Sequence, residues 1–152
     1  LILEGAPARL NWETVLKKRE GYRKAFKGFS PQLVFKMTDA ELEALRKDKN
    51  IIRNRLKIYS ARKNAGVFLE IQKEFGSFDK YVWDFVGGKP ILNSWKKFDD
   101  VPVNTSQSDA LSKDLKNRGM TFVGSTIIYA YMQAVGMVND HVVSCSCYNK
   151  GR

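Results

Sequence analysis

Leu111-Ser-Lys-Asp-Leu-Lys-Asn-Arg-Gly-Met-Thr-Phe-Val-Gly-Ser-Thr-Ile-Ile-Tyr-Ala-Tyr-Met-Gln-Ala-Val-Gly-Met-Val-Asn-Asp-His-Val-Val-Ser-Cys145 decides the fold. It reads as a helix, a tight hairpin between Gly119 and Gly124, a second helix, and a closing His/Cys pair. A turn of this kind can aim several backbone N–H groups from the start of a helix at an anion such as a phosphate. Glycine-containing turns between packed helices are also common as plain connectors, so the spacing alone leaves both readings open.

Working outward, the rest of the chain reads as helix almost throughout. Trp12, Val15, Leu16, Tyr22 and Phe26 mark the apolar face of an amphipathic helix over 10–26, broken by Gly28 and Ser30-Pro31. Thr38-Asp-Ala-Glu41 is a capping box that opens a short helix through Leu45. Asn50 precedes a long helical segment, 51–75, stopped by Gly76-Ser77; another helix spans 78–86. Gly87-Gly88-Lys89-Pro90 begins an irregular excursion to about Thr105, and Ser106 starts the helix that enters the hairpin. Strand-like alternation is absent. The expected fold class is all-α, in one domain over 1–152, a length sufficient to bury a real core.

The 26 Lys and Arg against 16 Asp and Glu give a net charge of +10, which fits a polyanionic partner or a solubilising surface. No apolar run approaches the roughly 20 residues of a membrane span, and no signal peptide is visible. Cys145 and Cys147, the only cysteines, are too few and too close for a secreted disulfide framework, which points to a reducing interior.

Arg118-Gly119, Phe122-Val123-Gly124-x-Thr126 and Met132-Gln133-Ala134-x-Gly136-x-Val138-Asn139-Asp140-His141 closely resemble the C-terminal half of the DNA-3-methyladenine glycosylase I family. The likeness continues in Leu3-Glu4-Gly5, Trp12 to Glu20, Phe26, Ile51 to Arg55 with Lys57-Ile58, Asn64-Ala65, Gly76-Ser77-Phe78, Trp83 and Leu111 to Lys116. It implies a helix-hairpin-helix DNA glycosylase fold and a monofunctional DNA repair hydrolase. Such an enzyme cuts the N-glycosidic bond of 3-methyladenine in alkylated double-stranded DNA, frees the base and leaves an abasic site. A monomer working in the bacterial cytoplasm, on the nucleoid, is the expected form. The competing reading is a helix-hairpin-helix module that binds DNA without chemistry.

The same resemblance assigns the site. Glu4 takes the catalytic and base-binding position and Trp12 the base-stacking one. A base inside a duplex must be swung out to be reached, and a carboxylate with an aromatic face suits a cationic purine. Without the resemblance, Glu4 reads as a helix-end carboxylate and Trp12 as a core aromatic. Leu10 follows Pro7-Ala8-Arg9 in the loop that enters the duplex in the family, where Gln-Ala-Gly is usual. The DNA backbone is expected at Lys113, Lys116, Arg118, Gly119, Phe122, Gly124 and Thr126. His141 and Cys145 are expected to supply half of a structural Zn²⁺ site. In the family, a Cys and a His that precede the stretch matched here complete it, so the zinc is expected to be incomplete or absent in this chain. Asp140 is read as structural.

Overall fold

The computed structural model describes residues 2–5 and 12–148, with side chains for all but Glu4, Trp12 and Thr14. The elements in order are α1 (Ile2–Gly5), α2 (Trp12–Lys17), α3 (Arg19–Ala25), α4 (Pro31–Phe35), α5 (Asp39–Leu45), α6 (Arg55–Phe75), α7 (Phe78–Asp84), β1 (Ile91–Leu92), α8 (Ser106–Asn117), α9 (Ser125–Ala134) and β2 (Val138–Asn139). Among the described residues, no helix is long and apolar enough to cross a membrane.

The capping box forms as its residues dictate. The Glu41 N–H donates to Thr38 Oγ1 at 3.2 Å, and Glu41 Oε2 accepts the Thr38 N–H at 2.8 Å. Three boundaries fall elsewhere than the periodicity suggests. Within 10–26 the helix is interrupted at Lys18, which separates α2 from α3. Ser30-Pro31 begins a helix rather than ending one: Ser30 Oγ caps the Leu33 N–H, and Pro31 sits at the first helical position, where its missing donor is not needed. The long helix starts at Arg55, capped by Asn54 Oδ1 on the Lys57 N–H at 3.1 Å. Residues 51–54 stay outside it because Ile51 is buried and the Ile52 N–H donates to the Tyr22 hydroxyl at 3.2 Å.

α6 is the axis of the molecule. Its first half packs Ile58, Ala61 and Ala65 with Val15, Tyr22, Phe26, Val34 and Leu42 from α2 to α5. Its second half packs Val67 and Ile71 with Tyr81, Leu111, Leu115, Ile128 and Met132 from α7, α8 and α9. Burying each of the larger aliphatic and aromatic side chains contributes roughly 1.5–3 kcal/mol, and one helix serves both clusters. Among the described residues, the one departure from an all-helical architecture is a two-residue parallel pairing of β1 with β2, Ile91 opposite Val138 and Leu92 opposite Asn139. It ties the excursion after α7 to the segment leaving α9.

Candidate base pocket and DNA-backbone seat

α8 ends in a Schellman turn. The Met120 N–H donates to the Leu115 carbonyl and the Gly119 N–H to the Lys116 carbonyl, both at 2.9 Å. Gly119 takes φ +102°, a conformation that side-chain-bearing residues rarely adopt. The hairpin is then fastened from two sides. Ser112 Oγ donates to the Val123 carbonyl at 2.7 Å, and the Ser108 and Ser125 hydroxyls meet at 2.8 Å, joining α8 to the first turn of α9. Across the molecule, Asn64 on α6 donates Nδ2–H to the Thr121 carbonyl at 2.8 Å and accepts the Thr121 N–H on Oδ1 at 2.9 Å. Held this way, Phe122 adopts φ +57° and stays partly exposed.

Gly124 caps α9 without a side chain, and nothing lies within 4 Å of where its Cβ would be. A depression of about 220 Å³ opens beside it, lined by Asp109, Ser112, Lys113, Lys116, Asn117 and Ser125. The start of a helix with two exposed lysines beside it has the chemistry to hold a phosphate. Of the expected backbone-binding residues, Lys113, Lys116 and Gly124 thus gather here, with exposed Thr126 on the first turn of α9.

Arg118 takes a different part. Its guanidinium donates to Glu74 at 2.6 and 3.3 Å and to Asp114 at 2.7 Å, and it lies 5.0 Å from the Phe75 ring and 5.2 Å from that of Tyr81. Three of its N–H donors form a strut between α6 and α8. The hydrogen bonds to Glu74 and Asp114 hold its proton well above the usual range, and the one from Arg118 draws Glu74 below its own. Asp114 is pushed up by burial, but hydrogen bonds from Tyr81 and Arg118 outweigh this and leave it lowered. The Glu74 half of this strut has no local signature, because Glu74 lies 44 residues away.

Between the two core clusters lies a cavity of about 400 Å³. Ile2 and Leu3 of α1 border it, with Phe29, Ala61, Asn64, Phe68, Tyr131 and Val135 among the walls. Its size falls in the range of a small-molecule site, and its lining is almost wholly apolar. Glu4 stands next to Leu3 on α1 and Trp12 opens α2, but where their side chains point is outside the described residues, as are Leu10 and its loop. Asn64 borders this cavity and also holds the hairpin.

At the far end, Asp140 accepts four hydrogen bonds. Oδ1 takes Asn93 Nδ2–H and Trp95 Nε1–H, both at 2.7 Å; Oδ2 takes the Tyr129 hydroxyl at 2.6 Å and Gln133 Nε2–H at 2.7 Å. Burial raises its pKa, yet these donors outweigh it and leave the carboxylate below its ordinary value. With both oxygens doubly engaged it is a structural tie, as expected. His141 Nδ1 and Cys145 Sγ are 3.6 Å apart. Two ligands of one tetrahedral zinc, at about 2.0 and 2.3 Å from the metal, stand roughly 3.5 Å from each other, so the pair fits half a zinc site. Among the described residues, no third His, Cys, Asp or Glu joins them.

The sequence family described as methyladenine glycosylase matches residues 1–148. DNA-3-methyladenine glycosylase 1 of Escherichia coli is 47% identical over 148 residues, 97% of this chain and 79% of the relative. A crystal structure of 3-methyladenine DNA glycosylase I superposes with a TM-score of 0.92 at 45% identity, covering 96% of this chain and 80% of that one. A variant of 3-methyladenine DNA glycosylase I, solved in complex with 3-methyladenine, superposes with a TM-score of 0.93 at 34% identity, covering 95% and 78%. With the hairpin and the apolar cavity in place, and with identity of this depth along the chain, the protein belongs to the methyladenine glycosylase family.

Proposed function

We infer that the chain is a DNA-3-methyladenine glycosylase: it hydrolyses the bond between deoxyribose and 3-methyladenine in alkylated DNA, freeing the base and leaving an abasic site. The observation that carries this reading is the phosphate seat at α9, joined through Asn64 to a base-sized apolar cavity bordered by α1, the helix of Glu4. Duplex DNA rests its backbone on the α9 amides with Lys113 and Lys116, and the damaged nucleotide turns out of the stack. Glu4 accepts hydrogen bonds from the base edge and favours its positive charge, and Trp12 stacks on it with a cation–π gain of about 0.5–2 kcal/mol. The glycosidic bond breaks with its electron pair going to the base, which leaves neutral. Water adds to the sugar carbon and gives up its proton. The cationic base is already a good leaving group, so positioning does most of the catalysis.

The enzyme works as a monomer on double-stranded DNA in the cytoplasm. His141 and Cys145 contribute to a structural Zn²⁺ that needs two further ligands, of which Cys147 can supply at most one. The zinc, when bound, pins the segment after β2; it offers no open position for chemistry.

The test is release of free 3-methyladenine from methylated duplex DNA. Glu4→Gln is expected to reduce release by 100-fold or so, in the range of a lost electrostatic group, while keeping affinity for abasic DNA. Undiminished release would remove Glu4 from the mechanism. A wild-type chain that bound duplex DNA but freed no base would be a binding module instead.

A further inference from the structure

The chain has six tyrosines, and all but Tyr131 have the hydroxyl engaged. That of Tyr22 accepts the Ile52 N–H at 3.2 Å. Those of Tyr59, Tyr81 and Tyr129 donate to Glu43, Asp114 and Asp140 at 2.6, 2.7 and 2.6 Å, and that of Tyr148 meets Ser94 Oγ at 2.9 Å. Among the described residues the Tyr131 hydroxyl has no hydrogen-bond partner. A tyrosine packed into a core ordinarily finds one, and a hydroxyl left without asks for an explanation.

Tyr131 lies in the second half of α9, packs partly buried against the core around Ile71 and Ile128, and lines the cavity of about 400 Å³. Its oxygen is not sealed in protein, because among the described residues no fully buried side-chain N or O atom lacks a partner. The open space that Tyr131 borders is this cavity. Of the described residues that line it, only Asn64 and Tyr131 carry N or O on the side chain. Asn64 already spends an amide hydrogen and its oxygen on Thr121. The Tyr131 hydroxyl is therefore the polar tip of the wall that nothing else uses. Burial pushes its pKa up, and the charge of Asp79, next to Phe78 of the same wall, adds to this. The group keeps its proton and can donate it to a ligand.

An adenine edge alternates an amino donor with ring-nitrogen acceptors at N1 and N7, and methylation at N3 leaves all three in place. A carboxylate such as Glu4 is an acceptor only, so it can answer the amino group but not the ring nitrogens. The wall needs a donor as well. We propose that Tyr131 is a specificity-determining residue, whose hydroxyl donates a hydrogen bond to a ring nitrogen of the methylated adenine held in the cavity. The proposal rests on the glycosylase reading and names the group that meets the acceptor side of the base.

Tyr131→Phe removes the hydroxyl and keeps the ring. With no protein partner lost, its melting temperature should not fall below that of the wild type. Isothermal titration calorimetry then compares both proteins with free 3-methyladenine and with its 1-deaza and 7-deaza analogues, each lacking one ring-nitrogen acceptor. We expect Tyr131→Phe to bind 3-methyladenine roughly two- to tenfold more weakly, as for one hydrogen bond. The wild type should disfavour one of the two analogues by a similar factor, and the variant should lose that preference. Wild-type affinity of Tyr131→Phe for 3-methyladenine would overturn the proposal. So would a variant that binds more weakly yet keeps the preference, since the hydroxyl would then act through packing alone, or a wild type that binds no free base. Release of 3-methyladenine from methylated duplex DNA is measured separately. Its failure in the wild type strikes the activity, while the affinity comparison still decides the part played by Tyr131.

Discussion

Asn64 places one amide against both backbone groups of Thr121, as a neighbouring strand would, and no other residue of α6 touches both the cavity and the hairpin in this way. Alanine there strands a half-buried N–H and C=O at once, a cost of about 1–3 kcal/mol. The hairpin would then sample other positions relative to the cavity. Asn64→Ala is therefore expected to weaken abasic-duplex binding severalfold, and more than it weakens free 3-methyladenine, whose cavity the same residue borders. Calorimetry with both ligands checks this; an equal loss for both would show that the amide only supports the fold. Asp140 is the comparable residue at the other end of α9, with four donors on one carboxylate. An aspartate so encumbered has no lone pair left to activate water, so the sequence-level reading of Asp140 as structural agrees with its surroundings.

At the scale of the element, the α8–hairpin–α9 unit is written locally: a capping box at Thr105 and Ser108, a glycine at the left-handed position, and a bare Gly124 at the mouth of α9. Lys116 projects from the last turn of α8 into the depression beside that mouth. If it meets a phosphate, Lys116→Ala should weaken binding to all sequences alike and lower the slope of log affinity against log salt by about 0.9. An unchanged slope in a salt titration would exclude that contact. The Thr38–Glu41 box makes a pH prediction. Hydrogen bonds from Lys27 and from the Thr38 N–H lower Glu41 from 4.5 to about 2. A carboxylate lowered on folding adds stability that is complete above its unfolded value and disappears as pH falls through the folded one. The melting-temperature advantage of wild type over Glu41→Gln should thus hold above pH 4.5 and vanish by about pH 2. A constant difference from pH 6 to pH 2 would contradict it. The side chain remains open to solvent, so the effect should be small and should shrink with added salt.

At the scale of the whole molecule, α6 holds two cores together and places the cavity between them, while β1–β2 pairing and Asp140 fasten the segment that carries His141 and Cys145. A metal that binds only this folded arrangement raises its stability. Zn²⁺ titrated into the chain is expected to raise the melting temperature of the wild type and not of His141→Ala, with well under one equivalent surviving dialysis against a chelator. A wild type unmoved by zinc would dismiss the metal. What is local or periodic could be read from the chain of residues alone: the helical class, the Thr38 box, the hairpin between Gly119 and Gly124, and the His141–Cys145 spacing. Those follow from side chains acting within a turn or two of their own backbone. Packing of the folded chain set where the long helix begins, at Arg55, and brought Arg118 to Glu74 and Asn64 to Thr121. Each depends on burial or on a partner tens of residues away, and no local pattern encodes which distant group will arrive within hydrogen-bonding distance.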